Sequence, residues 1–374
     1  MRFDDRELTQ RELLRRVGNL AQVGGVELLR HEEGHPRGTR AIVFRTGTGL
    51  SFSVLPDRGL DVGAADFQGI GLCWLPPKGL AGPWYYEGDL DHYAWLRVGL
   101  GGLFNTAGLV SIGVPQELDT SSFGLAQRLT AGYGTHDRIA VTPASRFSFD
   151  ERWEGDRCLL HAQGVVRQDI AYGENLSLRR QYETELGSNS FSIVDVVSND
   201  GWFETPHQLL YHFNLGFPLV DEGAELLAAV DEEPRSLGYA VGENAGDSGR
   251  WRTVSAPEPG FTFEGYAVSL KCGPEGKVSL ALVNRRLRGG LGVYLRYDPR
   301  QLPAYLAWRM MREGLYAIGL EPATNPFGNP RDLIEQGYPI MLAPGEKRMY
   351  ELEFGVLVGS EQIDAFAASV EALR

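Results

Sequence analysis

Residues 176 to 184 read Leu-Ser-Leu-Arg-Arg-Gln-Tyr-Glu-Thr, and the pattern has a period of two. Leu176, Leu178, Arg180, Tyr182 and Thr184 fall on one face of an extended chain, with Ser177, Arg179, Gln181 and Glu183 on the other. Such alternation marks a half-buried strand. Residues 351–358 repeat it, with Leu352, Phe354, Val356 and Val358 pointing one way. Residues 191–199 are apolar on both faces, as expected of an inner strand between two layers. The chain's 47 glycines and 20 prolines break it into short runs, which favours strands and turns over long helices. Gly47-Thr48-Gly49 and Pro56-Asp57-Arg58-Gly59 divide residues 41–69 into hairpins, and the second turn carries Arg58.

Only the two ends read as helix. Residues 5–17 place Leu8, Leu13 and Leu14 among charges. Residues 360–374 offer Ser360 as a cap and a stripe of Ile363, Phe366, Val370 and Leu373. The 374 residues suffice for one large domain or two average ones. No composition break, repeat or linker divides them. The expectation is one all-β sandwich over residues 1–374, with a helical lead-in through residue 25 and a helix from 360.

A net charge of −13 argues against nucleic acid or an anionic membrane as partner, because both need a basic surface. It leaves a neutral small molecule open. Cys73, Cys158 and Cys272 lie far apart and form no CxxC pair, which argues against zinc and for a reducing compartment. The opening Met-Arg-Phe-Asp-Asp-Arg is charged, unlike a secretory leader, and no run of 18 apolar residues occurs. The expected location is the cytoplasm, with no membrane anchor.

Three stretches carry chemistry-bearing residues. In Glu-Thr-Pro-His-Gln-Leu-Leu-Tyr-His-Phe-Asn-Leu-Gly-Phe-Pro, residues 204–218, an imidazole interrupts an apolar strand. Alternation puts His212 with Leu210 and Asn214 on one face, and Tyr211 with Phe213 on the other. A strand histidine is either a hydrogen-bonded core group or a catalyst. In Gly-Tyr-Gly-Thr-His-Asp-Arg, His136 follows a turn and borders charges, which suggests partial exposure. In Tyr-Ala-Ile-Gly-Leu-Glu-Pro, a short strand over 316–320 delivers Glu321 at its end, before a turn-rich loop. A carboxylate there either faces a pocket or is simply exposed. Residues 73–105 form a long aromatic-rich meander of the kind that often serves function.

With these segments in place, the sequence resembles the galactose mutarotase (aldose 1-epimerase) family. Thr205-Pro206 through His212, Asn214 and Leu215 is similar to its histidine strand, Leu320-Glu321-Pro322 to its glutamate segment, and Pro344-Gly345-Glu346 through Phe354 to its closing strand. Leu-Pro-Asp-Arg-Gly-Leu-Asp-Val-Gly, Gly-Leu-Gly-Gly-Leu-Phe-Asn-Thr-Ala-Gly-Leu and Tyr-Leu-Ala-Trp-Arg-Met-Met-Arg-Glu-Gly-Leu look most like a branch known as a domain of unknown function. The resemblance spans roughly residues 40 to 356. It implies a β-supersandwich and interconversion of sugar anomers. By it His212 matches the general acid, Glu321 the general base, His136 a substrate-binding histidine and Arg58 an arginine that contacts sugar hydroxyls. Asn105 and Trp308 lie in matching segments and become candidate pocket residues. Two positions depart from the pattern. Asp137 replaces a glycine and would add negative charge near the pocket mouth. The family's substrate-binding aspartate has no clear counterpart, although Glu264 stands near its place.

The residue types suit that chemistry. Opening a hemiacetal ring needs a base for the anomeric hydroxyl and an acid for the ring oxygen, and no cofactor or metal. Imidazole and carboxylate can both give and take protons near neutrality. On this reading Glu321 is ionised at rest and His212 protonated, each stabilising the other. Trp84, Tyr85, Trp95 or Trp308 could lie against a sugar face. Two other readings stand beside it: a carbohydrate-binding protein without catalysis, and a glycoside hydrolase or lyase, which normally needs two opposed carboxylates.

Overall fold

A computed structural model describes residues 1–3, 6–87, 92–119, 130–237 and 248–373. Two large antiparallel sheets stack as a sandwich, the all-β architecture that the alternation demands. One sheet has eight strands. Four of them follow in chain order, Ala144–Glu154, Arg157–Asp169, Asn175–Glu185 and Ser190–Asn199, and then comes Lys347–Val358. The other sheet has eleven strands. At its centre lie, side by side, Ala304–Met310, Ala317–Ala323, Gln208–Gly216 and Phe104–Leu109. The two inner faces meet through aromatic contacts. Phe52 stacks on Phe191 at 4.2 Å between ring centres, and Phe213 on Phe354 at 5.8 Å. Leu176, Leu178, Arg180, Tyr182 and Thr184 are all buried, as their alternation requires. No helix of the described residues is long and apolar enough to cross a membrane.

Three local expectations change. Residues 191–199 are not buried on both faces. Phe191, Ile193, Asp195 and Val197 face the core, whereas Val194 and Val196 are half-exposed. The C-terminal helix packs on Ala281 and Val283, three strands away, and on Leu357 at the far end of the adjoining strand, and leaves the outer surface here uncovered. That helix runs Gly359–Glu371 with Val358 as its N-cap, so Ser360 sits inside its first turn and caps nothing. Ile363, Phe366 and Val370 are buried as a stripe. At the other end, among the described residues, Gln10–Leu14 is α-helical, held by a reciprocal Thr9–Glu12 capping box, and Leu20–Gln22 forms a short 3-10 turn. Leu13 alone is buried and Leu14 is exposed, so no apolar stripe supports a longer helix.

Between the sheets lies a fully buried polar cluster. Arg180 donates through Nε and Nη2 to Asp195 at 2.9 and 2.6 Å, and through Nη1 to Asp61 and Thr106, both at 2.8 Å. The Tyr211 hydroxyl donates to Asp195 at 2.7 Å. The guanidinium lies over the Phe104 ring at 4.7 Å.

Candidate active site

Tyr211 and His212 are neighbours on one central strand and point to opposite faces of it. Tyr211 and Phe213 enter the core between the sheets, and His212 enters a cavity on the other side. The next strand, Ala317–Ala323, pairs with Gln208–Gly216 in a register of Phe213 with Leu320 and Leu210 with Ala323, which sets His212 opposite Glu321. The ladder skips Glu321 and Pro322, where proline has no N–H to donate. Glu321 therefore lies within its strand, not at the end expected from sequence, because pairing continues to Ala323. His212 Nε2 and Glu321 Oε1 are 3.3 Å apart, and both side chains are nearly inaccessible. Neither His212 Nδ1 nor Glu321 Oε1 has a hydrogen-bond partner in the protein.

One strand further, the register of Leu306 with Glu321 and Trp308 with Gly319 brings Trp308 to the same face. Its ring lies 5.5 Å from the His212 ring and 5.9 Å from Trp74. His136 arrives on a loop. Its backbone and that of Asp137 are left-handed, with φ of 55° and 56°, a strained arrangement for such residues. The loop is held by His136 N–H to the Gly113 carbonyl and by Gly108 N–H to the His136 carbonyl, both at 3.0 Å. Gly113 N–H also donates to His136 Nδ1 at 3.2 Å, so a neutral His136 carries its proton on Nε2. A π-helical turn over Trp95–Gly99 places the Trp95 ring 4.5 Å from His136 and 5.5 Å from His212. His136 and His212 are themselves 5.8 Å apart. These groups surround a cavity of about 560 Å³.

Burial sets the charge state. It pushes the Glu321 carboxyl up to about 8 and the His212 imidazole down to about 4. His136 is driven well below its ordinary value, by burial first and by His212 second. Near neutral pH the pair thus rests with Glu321 protonated and His212 neutral. That reverses the resting charges expected from sequence, since desolvation of two charges outweighs their attraction here.

Several sequence candidates take other roles. Arg58 is buried but does not line the cavity. Its Nη2 donates to the Gly99 carbonyl, and burial lowers it to about 10. Asn105 is a strut, accepting Gly101 N–H at 2.9 Å and the Asn214 amide at 3.0 Å. His136 is buried instead of partly exposed. Asp137 turns inward, accepting Val110 N–H and the Gln168 amide, so it adds no charge at the cavity mouth. Burial raises it to about 6. Glu264 is the counter-ion of buried Arg309 and also accepts from the Tyr266 hydroxyl at 3.0 Å. Trp84 and Tyr85 are exposed and outside the cavity. Of the 73–105 meander, Trp74, Tyr93, Trp95 and Leu100 are among the residues that line the cavity, and residues 88–91 lie outside the described ones. Sequence reasoning missed Trp74, Thr135 and Phe327 as wall residues. Thr135 had one available signal, its place beside His136 in the turn.

The family model for a domain of unknown function, DUF4432, matches residues 36–356, most of the chain. The chain belongs to that family. No curated protein sequence matches it. Among solved structures, this DUF4432 protein is similar to a candidate aldose 1-epimerase from Klebsiella pneumoniae, with 23% identity and a TM-score of 0.81. That match covers 93% of this chain and 87% of the other. It is also similar to the Slr1438 protein of Synechocystis, with 14% identity over 88% and 99% of the two chains and a TM-score of 0.58. A galactose 1-epimerase from Lactobacillus acidophilus matches with 13% identity over 90% and 99%, and a TM-score of 0.53. At such identities the likeness establishes the galactose mutarotase-like sandwich and nothing finer.

Proposed function

We propose that this DUF4432 protein is a carbohydrate-active isomerase that interconverts sugar anomers by acid–base ring opening, with His212 and Glu321 as the proton-transfer pair. The observation that carries the reading is the contact of the two at 3.3 Å, each with an unpartnered polar atom, in one buried cavity. A buried polar atom without a partner is costly, and a ligand is one way to satisfy it.

The pair holds one transferable proton between about pH 4 and pH 8. The sugar lies alongside the pair, since the 3.3 Å gap leaves no room between them. His212 takes the anomeric hydroxyl proton while Glu321 gives its own to the ring oxygen. The bond from C1 to the ring oxygen breaks, leaving an open-chain aldehyde and a new hydroxyl. Rotation about the C1–C2 bond presents the other carbonyl face. Ring closure then runs the transfers backward and restores the pair. This cycle exchanges the roles implied by family resemblance, in which Glu321 takes the anomeric proton and His212 protonates the ring oxygen, because burial leaves the proton on Glu321 and not on His212. His136 Nε2–H would hold a hydroxyl, and Trp95 and Trp308 would flank the ring. Hydrolysis fits less well, because Glu321 is the one carboxylate among the described cavity-lining residues. The free cysteines accord with a cytoplasmic setting.

Exchange NMR of the two anomers of a neutral aldose tests the proposal. His212→Asn and Glu321→Gln should each slow the accelerated exchange by roughly 10²–10⁴-fold, with sugar binding kept. Binding without acceleration by the native protein would instead identify a carbohydrate-binding protein.

A further inference from the structure

The turn that carries Trp95 is tied down from behind the cavity wall. The carbonyls of Gly99, Leu100, Gly101 and Gly102 each accept a side-chain donor: Arg58 Nη2, Lys78 Nζ at 2.9 Å, the Asn105 amide at 3.2 Å and the Asn214 amide at 3.1 Å. The last three ties fall beyond the π-helical turn over Trp95–Gly99, and Arg58 holds the turn itself at its final residue. The Trp95 ring folds back over that residue, since a Cβ added to Gly99 would stand 2.7 Å from it. The same ring lies 4.5 Å from His136 and 5.5 Å from His212. Arg58 is poorly satisfied where it stands. It is buried, its Nε and Nη1 have no partner in the protein, and its nearby counter-charge, Asp61, is already bonded to Arg180 and Thr106. A buried cation with so few partners burdens a fold, so stability does not account for it.

We infer, on the anomer-interconversion reading, that Arg58 is a positioning residue for the proton-transfer pair: through the Gly99 carbonyl it holds the Trp95 indole against His136 and His212, and so keeps water from the His212 ring. Few groups face that ring. Glu321 stands on the next strand at 3.3 Å, and Asn105 is paired with His212 from the strand on the other side. His136 approaches on its loop, and Trp95 and Trp308 flank the ring. Of these, Glu321 and His136 titrate, and both are neutral near pH 7. Burial therefore keeps His212 down at about 4, and Arg58 exerts no direct charge effect on it. Moving the indole away admits water beside His212, whose protonation then moves back up towards its ordinary 6.5.

The test measures anomer exchange of a neutral aldose across pH and, separately, titrates the His212 imidazole by NMR. Arg58→Met should raise the acid limb of kcat/KM and the His212 titration together, by about one pH unit or more. Arg58→Lys, which keeps a donor for the carbonyl, should restore most of that shift. Gly99→Ala keeps the arginine and displaces the indole directly, so it should give the same shift, and it carries the test if Arg58→Met does not fold. Trp95→Leu should move both readouts as far, and adding Arg58→Met to it should move them no further. Shifts that add would mean that Arg58 acts on His212 without Trp95. A His212 titration unmoved in the Met and Ala variants, with activity lowered equally at every pH, would leave Arg58 a structural residue only. Either result overturns the inference. If the titration shifts as stated but the native protein interconverts no sugar, the isomerase reading fails, while Arg58 still positions Trp95 against His212.

Discussion

Tyr211 and His212 are adjacent in sequence yet face two opposite polar environments. Tyr211 points into a cluster where Arg180, Asp195, Asp61 and Thr106 satisfy one another through bonds of 2.5–2.9 Å. His212 points into a cavity where it and Glu321 each keep an unpartnered atom. Both places are buried, and both contain a base and an acid. In the first, burial lowers the Arg180 guanidinium but Asp195 and Asp61 hold it well above its ordinary value, while burial still raises the Asp61 carboxyl. In the second, the lack of such partners lets desolvation neutralise the pair. Burial alone does not decide charge state in this protein. The number of fixed dipoles and counter-charges around the group does.

Three experiments test that contrast. The largest effect is expected from Arg180→Met. It leaves Asp195 and Asp61 buried without their cation and should destabilise the fold by about 3–5 kcal/mol, read by chemical denaturation. A loss below about 1 kcal/mol would show that the cluster is not the charged brace described here.

Glu321→Gln should act in the opposite direction. The folded protein holds the Glu321 proton up to about pH 8, while the unfolded chain releases it near the ordinary carboxylate value of 4.5. Between those limits the folded state binds more protons than the unfolded one, so native stability falls as pH rises. The neutral glutamine removes that dependence. The variant should be more stable than the native protein by up to about 4 kcal/mol at pH 8, and about equal to it at pH 4. Thermal unfolding at the two pH values measures this. Equal stabilities at pH 8 would mean that Glu321 ionises freely in the folded state.

The third effect is graded. Activity needs one proton on the pair, so kcat/KM should be bell-shaped. It falls below about pH 4 as His212 gains a proton, and above about pH 8 as Glu321 loses one. Each limb should approach tenfold per pH unit. A profile with its limbs reversed, rising toward alkaline pH through 8, would show that the ionised carboxylate is the working form.

Much of this molecule was legible before any coordinates. The alternation over 176–184 named the buried face residue by residue, Arg180 included. The same reasoning separated His212 from Tyr211 and Phe213. It failed for 191–199, where Val194 and Val196 looked interior because apolar character alone does not say what covers an outer surface. It also failed for charged residues on loops. Arg58 and Asp137 sat in turn-rich stretches that suggested exposure near a ligand, and both are buried with a protein partner. A charge on a loop is exposed only if the loop does not fold back, and local sequence carries no record of that.

The sequence by itself determined which residues alternate, where the chain must turn, and that an imidazole and a carboxylate each stand on a strand near a proline. Those are properties of neighbouring residues, set by backbone geometry and side-chain polarity. Only the tertiary structure decided that His212 and Glu321 face each other, since their meeting depends on the register between strands more than a hundred residues apart. The same is true of their charge. A pKa depends on how much water and how many counter-charges remain within a few ångströms, and those neighbours come from other strands and loops.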